Sequence, residues 1–163
     1  KVPHVQGRVE VVPTPGKDYT ILIDYAHTPD SMVNVLQTVK EFAKGRTVAV
    51  FGCGGDRDKT KRPPMGKAAA DWSDFAVVTT DNPRTEDPAA IIEDILPGFA
   101  GSKTPYKVVV DRVEAIHWAM DHAEKDDVIV LCGKGHETYQ EVNHVKHHMD
   151  EREIVADYLK AGH

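Results

Sequence analysis

The 163-residue chain is 40% hydrophobic and 28% charged, which is typical of a soluble globular protein and suits one domain, residues 1–163. No apolar run approaches the roughly 20 residues needed to span a bilayer, and no charged-then-apolar leader opens the chain, so we expect no membrane partner. The net charge of −6 argues against a general nucleic-acid binder, because such proteins usually carry a basic balance or face.

Apolar, β-branched runs alternate along the chain with segments of helical periodicity. We predict strands at 8–12, 19–23, 47–51, 75–79, 107–110 and 127–131, helices at 29–43, 63–72, 88–96, 113–123 and 150–160, and a hairpin-like segment at 138–144. Thr28 and Asp87 are predicted N-caps, each followed by proline. The pattern indicates an α/β, Rossmann-like open sheet that is mainly parallel. We expect helices on both faces and six strands, one of them an antiparallel edge strand.

Four polar loops, at 24–30, 52–61, 80–86 and 132–137, each begin where a predicted strand stops. In an open parallel sheet these loops gather along one edge, where ligands of such folds bind. The loops at the other end of the sheet read as ordinary solvated connections. The sequence therefore predicts that charged and polar side chains are concentrated in these four loops along one edge of the sheet, which we call the loaded edge.

The two cysteines and a cluster of three histidines do not indicate a catalytic or metal site. Cys53 and Cys132 are expected to be reduced thiols of a cytosolic protein. His144, His147 and His148 form a cluster without a carboxylate or cysteine at ligand spacing, so we expect an exposed turn and no metal-binding residue.

The simple nucleotide-binding signatures are incomplete. Gly66-Lys67 is followed by Ala68 rather than Ser or Thr, so it is no Walker A loop. In the glycine-rich loop that begins at Gly52, Arg57 occupies the third glycine position of a dinucleotide fingerprint. A domain with these loops would supply only part of an ATP site.

The loaded edge suits an amino acid with an extra carboxylate. Arg57 and Arg84 offer planar guanidinium groups that grip carboxylates, and Glu137 offers a carboxylate that can hold an ammonium. Each of these residues alone could equally form a surface ion pair worth about 0–1 kcal/mol. Their expected convergence favours a zwitterionic ligand.

At these loops the chain resembles the C-terminal domain of the Mur ligase family, in its meso-diaminopimelate-adding branch. The resemblance rests on Asp-Tyr-Ala-His-Thr-Pro-Asp at 24–30, Gly-Cys-Gly-Gly-Asp-Arg-Asp-Lys at 52–59, Asp-Asn-Pro-Arg at 81–84 and Gly-Lys-Gly-His-Glu at 133–137. It runs from Gly7 to about Leu159, nearly the whole chain.

The resemblance implies the C-terminal part of a three-domain, ATP-dependent amide ligase. Such an enzyme adds meso-diaminopimelate to UDP-MurNAc-L-Ala-D-Glu through an acyl phosphate in bacterial cytoplasm, with Mg²⁺ held mainly by the central domain. Because the chain begins at Lys1, we expect a fragment of that enzyme, monomeric and inactive alone, with no catalytic residue of its own.

The resemblance also implies roles for individual residues. The positions that match ATP contacts are Arg8 and Asp24, with Tyr25 and His27 beside them. The positions that match contacts to meso-diaminopimelate are Arg57, Asn82, Arg84, Gly133 and Glu137, with Asp81 adjacent. With lysine instead of diaminopimelate, we expect the Arg84 guanidinium to be left unpaired.

Two other interpretations stay open at this point. A folylpolyglutamate synthetase-like ligase domain has a related first loop, although the loops at 81–84 and 133–137 point away from it. A non-catalytic module that binds a nucleotide or an amino acid is the alternative from a different class.

Overall fold

The computed structural model describes residues 9–163, which form a six-stranded sheet, a separate two-stranded hairpin and five α-helices. The strands are β1 (Glu10–Val12), β2 (Thr20–Asp24), β3 (Thr47–Phe51), β4 (Phe75–Val78), β5 (Tyr106–Val108), β6 (Val128–Cys132), β7 (Tyr139–Val142) and β8 (Val145–His148). The helices are α1 (Pro29–Phe42), α2 (Arg62–Trp72), α3 (Pro88–Ile95), α4 (Arg112–Asp121) and α5 (Glu151–Lys160), with 3₁₀ turns at Lys59–Lys61 and Leu96–Phe99.

The large sheet has the strand order β1-β2-β6-β3-β4-β5. Strand β1 pairs antiparallel with β2, and the other neighbours pair in parallel. After β3 the chain adds β4 and β5 on one side and then returns to place β6 on the other side of β3. The strand order therefore reverses between β3 and β6, which is where open α/β sheets form a ligand crevice. The predicted fold class is confirmed.

Two apolar cores cover the two faces of the sheet. In β6, Val128, Val130 and Cys132 pack on the side of α1, α2 and α3. Ile129 and Leu131 point to the other side, where α4 and α5 pack. This alternation follows from the two-residue period of a strand, and it makes β6 apolar throughout because both its faces are buried.

The predicted N-caps of α1 and α3 are confirmed. Thr28 and Ser31 form a capping box, in which the Thr28 hydroxyl accepts from the Ser31 amide at 3.2 Å and the Thr28 amide donates to the Ser31 hydroxyl at 3.0 Å. The Asp87 carboxylate accepts from the Ala89 amide at 3.1 Å. These caps start two helices immediately after loops of the loaded edge.

The prediction for the segment after β6 was partly wrong. A turn was predicted for all three histidines, but the hairpin turns at Asn143 and His144, which have φ of 49° and 67°, and His147 and His148 lie in β8. Two adjacent residues with positive φ fit a two-residue hairpin loop, which sets the right-handed twist of the two strands.

None of the helices in residues 9–163 is both long and apolar enough to cross a lipid bilayer.

Candidate functional site

A cleft of about 430 Å³ opens at the carboxyl ends of β2, β3, β4 and β6. The predicted site residues that line it are Tyr25, His27, Arg57, Asp81, Asn82, Arg84, Gly133 and Glu137. The structure thus brings together all four predicted loops. Arg8 lies outside the described residues, and Asp24 is not among the lining residues of the cleft.

Asp24 is buried behind the residues that line the cleft and holds the turn that follows β2. It is the last residue of β2 and is 5% exposed, and its Oδ2 accepts from the Ala26 amide at 2.8 Å. That bond turns the chain sharply after the strand and places the next side chains toward the cleft. The rings of Tyr25 and His27 lie 4.8 Å apart there, and His27 Nδ1 lies 2.9 Å from the Tyr25 carbonyl oxygen.

The loops after β3 and β4 are locked together by backbone contacts. The Gly55 amide donates to the Asn82 carbonyl at 2.7 Å, and Arg84 Nη1 donates to the Gly55 carbonyl at 3.0 Å. A Cβ at Gly55 would lie 1.9 Å from the Pro83 carbonyl oxygen, so only glycine permits this approach. The glycines in the loop after β3 therefore allow Arg84, in the loop after β4, to lie against the loop that contains Arg57.

A buried arginine fixes the same pair of loops from below. Arg62, the first residue of α2, is 1% exposed and donates to Glu86 at 2.9 and 3.1 Å, to Asp94 at 3.0 Å and to the Gly54 carbonyl at 3.0 Å. The hydrogen bond from Arg62, with help from the Asp56 amide, lowers the pKa of Glu86 to about 2. The sequence predicts no role for Arg62, because its partners Glu86 and Asp94 lie 24 and 32 residues further along the chain.

A second buried cation, Lys134, lies behind the cleft and contacts three of its lining residues, Asp81, Asn82 and Glu137. Its side chain is 0% exposed, and its Nζ lies 3.2 Å from Asp81 Oδ1 and 3.7 Å from Glu137 Oε1. It also donates to Asn82 Oδ1 and, at 3.1 Å, to the Tyr139 carbonyl. Burial lowers the pKa of Lys134, while the neighbouring Asp81 carboxylate acts to raise it.

Lys134 was placed at the loaded edge from the sequence but was not counted among the site residues. The signal that could have found it is its position between Gly133 and Gly135, which have φ of 111° and 53°, directly after the buried strand β6. Glycines in this region allow a sharp turn that L side chains resist. The turn directs the lysine side chain inward rather than to solvent.

Glu137 shares the cleft with an aromatic hydroxyl and an amide. The Tyr25 hydroxyl donates to Glu137 Oε2 at 3.4 Å, and Asn82 Nδ2 donates to Glu137 Oε1 at 3.5 Å. Burial raises the pKa of Tyr25, and the Glu137 charge acts in the same direction. Both hydrogen bonds are long, so the carboxylate keeps capacity for a stronger donor such as an ammonium.

The two cleft arginines differ in how they are held. Arg84 has a φ of 52°, and its Nε lies 3.5 Å from Glu141 Oε1. Arg57 is exposed and donates to the Asp56 carbonyl at 3.0 Å. The expectation that Arg84 would be left unpaired without a diaminopimelate carboxylate was wrong, because Glu141 and the Gly55 carbonyl already contact its guanidinium.

The β7–β8 hairpin supports the loop after β4. The Glu141 amide donates to Asn82 Oδ1 at 3.0 Å, and Gln140 Nε2 donates to the Asp81 carbonyl at 2.7 Å. The Arg84 amide donates to the Glu141 carbonyl at 3.0 Å. Three residues of the predicted amino-acid site, Asp81, Asn82 and Arg84, are thus positioned by a hairpin that lies more than 50 residues further along the chain.

Arg112 ties the ends of two strands beneath the cleft. It is 1% exposed, donates to the Thr80 carbonyl at 3.2 Å and the Cys132 carbonyl at 2.9 Å, and pairs with Glu151 at 2.7 Å. These bonds satisfy the carbonyl oxygens of Cys132, the last residue of β6, and of Thr80, two residues beyond the end of β4. The sequence contained no local signal for this contact.

The described residues offer no metal centre. Across residues 9–163, no group of three or more His, Cys, Asp or Glu side chains is arranged to hold a metal ion.

Comparison with known proteins supplies the family. Residues 7–135 match the family described as "Mur ligase, glutamate ligase domain". The UDP-N-acetylmuramoyl-L-alanyl-D-glutamate--2,6-diaminopimelate ligase of Clostridioides difficile (strain 630) is 53% identical over 155 residues, which are 95% of this chain and 32% of that protein. The ligase of the same name from Bacillus cereus is 52% identical, over 95% of this chain and 31% of that protein.

Solved structures agree with this assignment. A structure of a UDP-N-acetylmuramoyl-L-alanyl-D-glutamate--2,6-diaminopimelate ligase superposes with a TM-score of 0.88 at 41% identity, covering 98% of this chain and 32% of that chain. E. coli FolC in complex with ADP superposes with a TM-score of 0.56 at 18% identity, covering 92% of this chain and 30% of that one, and shows the fold alone. The chain spans about a third of the length of these relatives. It belongs to the Mur ligase family and comprises the C-terminal domain of that family.

Proposed function

We propose that this domain recruits meso-diaminopimelate and contacts ATP within a ligase that adds the amino acid to UDP-MurNAc-L-Ala-D-Glu. The relatives that are 52–53% identical carry the name of that ligase. The observation that carries the proposal is the convergence of Arg57, Arg84, Asp81 and Glu137 in one cleft, although they come from three different loops. A cleft that contains both positively and negatively charged side chains suits a ligand that carries both an ammonium and a carboxylate.

The charges of the cleft suit the distal end of diaminopimelate, which carries one carboxylate and one ammonium. Arg84 offers the planar donor group for the carboxylate, since its guanidinium contacts Glu141 only at 3.5 Å and can take a closer partner. Glu137 offers an acceptor for the ammonium, because its two hydrogen bonds are both 3.4 Å or longer. Lysine lacks the carboxylate and would gain nothing from Arg84.

The degree of discrimination against lysine follows from these contacts. A hydrogen bond to a charged group contributes about 1.5–3 kcal/mol, which corresponds to roughly 10- to 150-fold in kcat/KM. Because Glu141 and the Gly55 carbonyl contact Arg84 in any case, binding lysine does not leave a fully unpaired buried charge. We therefore place the discrimination nearer to 10²-fold than to the ~10⁴-fold that a wholly unpaired polar group can produce.

For ATP, we propose that this domain supplies one wall of a shared site. Tyr25 and His27 line the cleft, and Asp24 holds the turn that carries them. ATP supplies the phosphoryl group that activates the glutamate γ-carboxylate. The residues of this chain bind and orient substrate, while phosphate and Mg²⁺ are held elsewhere in the ligase, so the domain alone is inactive. Closure of the domain would complete the site.

We further propose that the ligase acts as a monomer in the bacterial cytoplasm on small molecules rather than on nucleic acid. The other open interpretation, a folylpolyglutamate synthetase-like domain, has the weaker support. Its structural neighbour E. coli FolC is 18% identical, against 41% for the diaminopimelate ligase.

The decisive experiment measures amide formation by the full-length ligase with meso-diaminopimelate, lysine and glutamate as amine substrates. We expect ATP-dependent product with meso-diaminopimelate at a kcat/KM about 10²-fold above that for lysine. A preference for glutamate would instead establish the folylpolyglutamate-like alternative. A preference for lysine would refute the assigned role of Arg84.

Calorimetry on the 163-residue chain separates a ligase domain from a stand-alone binding module. A ligase domain holds only part of each site, so we expect weak binding of both meso-diaminopimelate and ATP. Micromolar affinity of the chain for either ligand, without amide formation by any longer form, would favour the binding module.

A further inference from the structure

We propose that Lys134 is a positioning residue of the amino-acid site, which sets both the geometry and the net charge of the cleft. This inference rests on the proposed function, because it concerns how the same cleft holds its amine substrate. The structure assigns Lys134 this role through its contacts with three side chains at once, those of Asp81, Asn82 and Glu137.

Lys134 is fully buried and therefore depends on its partners. The Lys134 side chain is 0% exposed, and a buried ammonium is stable only when it is paired and hydrogen-bonded. Its Nζ donates to Asn82 Oδ1 and, at 3.1 Å, to the Tyr139 carbonyl, and it forms an ion pair with Asp81 Oδ1 at 3.2 Å. Lys134 is therefore held rigidly and in turn holds the residues that surround it.

Lys134 also balances the negative charge of the cleft. Asp81 and Glu137 both face the cleft, so without Lys134 two carboxylates would share it. The lysine neutralises one of them and leaves a net charge of −1 on this set of three side chains. A net charge of −1 matches one substrate ammonium, while the substrate carboxylate goes to the arginines. The charge of Arg112, another buried cation, attracts the Asp81 carboxylate and repels the Lys134 ammonium.

Lys134 differs from Arg112 in the residues that it contacts. Arg112 bonds to the Thr80 and Cys132 carbonyls and to Glu151, and none of these residues lines the cleft. Lys134 bonds instead to side chains that do line it. Replacing Lys134 should therefore alter substrate binding through the side chains that line the cleft, whereas replacing Arg112 should alter the stability of the fold.

The test is a double-mutant cycle in the full-length ligase, with Lys134→Met, Asp81→Asn and the double variant. We expect Lys134→Met to raise the KM for meso-diaminopimelate about tenfold or more, with the KM for ATP within about twofold. In the Asp81→Asn background the same change should raise that KM by less than about threefold, because the partner carboxylate is gone. Lys107→Met, on the exposed strand β5, is the matched control and should leave both KM values unchanged.

Three results would overturn the proposal. The first is an equal effect of Lys134→Met in both backgrounds. The second is a parallel rise in the KM for ATP, which indicates general damage. The third is no change in any constant. If Lys134→Met does not fold, the double variant carries the test: a folded enzyme with diaminopimelate-dependent turnover supports the proposal, and failure to recover refutes it.

The wild-type enzyme separates this inference from the proposed function. A wild-type ligase that does not use meso-diaminopimelate refutes the proposed function, whatever the variants do. A wild-type ligase that uses it, with a folded Lys134→Met variant of unchanged KM, refutes only the role of Lys134.

Discussion

Glu86→Gln should destabilise this domain by about 2 kcal/mol at pH 7, because Glu86 is the principal counter-ion of the buried Arg62. The glutamine keeps the size of the side chain and one acceptor oxygen but removes the charge. Arg62 also holds the Gly54 carbonyl, so the change should loosen the glycine-rich loop of the cleft.

The magnitude follows from the pKa of Glu86, which the Arg62 hydrogen bond lowers from 4.5 to about 2. The difference between 4.5 and about 2, at 1.36 kcal/mol per pH unit, sets an upper limit of about 3.4 kcal/mol on the stabilisation that Glu86 contributes. The Glu86 side chain is 20% exposed, and Asp94 remains 3.0 Å from Arg62 in the variant. Solvent screening and this second partner reduce the expected loss to about 2 kcal/mol, or roughly 4–8 °C in Tm.

The pH dependence has a defined sign. The pKa of Glu86 is lower in the folded than in the unfolded chain, so its contribution to stability is fully present above pH 4.5. It is lost as the pH falls from 4.5 through about 2, because both states then bind the proton. The stability difference between wild type and Glu86→Gln should therefore shrink steadily over that window.

Urea unfolding of both chains at pH 7 and at pH 3 measures the difference. Glu93→Gln, an exposed carboxylate on α3, is the matched control and should stay within about 0.5 kcal/mol of wild type. The reasoning is refuted if Glu86→Gln costs less than about 0.5 kcal/mol at pH 7, or if its cost is the same at both pH values.

Three further predictions concern the walls of the cleft. Arg84→Ala in the full-length ligase should raise the KM for meso-diaminopimelate about 10- to 100-fold and reduce its preference over lysine; unchanged kinetics for both amino acids would contradict the assignment. Gly135→Ala should cost about 1–3 kcal/mol more in urea unfolding than Gly101→Ala. Both glycines have positive φ, but only at Gly135 would the new Cβ meet Tyr25, at 2.9 Å, so equal costs would exclude that contact as the cause. Desolvation raises the pKa of the half-buried Cys53 thiol to about 12, so at pH 8 iodoacetamide should label it about 100-fold more slowly in the native than in the urea-unfolded chain. Comparable rates in the two states would show that the pKa of the native thiol is not raised.

The fold class and the convergence of loops could be predicted because they depend on local patterns. Alternating apolar runs and helical stripes specify a parallel sheet with covered faces, and such a sheet must bring its strand ends to one edge. The cleft lined by Arg57, Arg84 and Glu137 is the direct consequence of that geometry. The helix starts at Thr28 and Asp87 were equally local, since an N-cap acts within three residues.

The contacts that hold the cleft could not be predicted, because their partners are distant in the chain. Lys134 and Asn82 are 52 residues apart, Arg112 and Glu151 are 39 apart, and Glu141 lies 59 residues from the Asn82 side chain that it meets. A charged residue in a sequence carries no sign of whether water or a distant partner will satisfy it.

The sequence by itself determined which residue types reach the loaded edge, since strand and loop patterns depend on near neighbours. Only the tertiary structure decided that Lys134 turns inward, that Glu141 already contacts Arg84 and that Asp24 stands behind the cleft wall. The physical reason is that burial arises from packing of distant segments, and burial decides whether a charge is solvated at the surface or paired within the site.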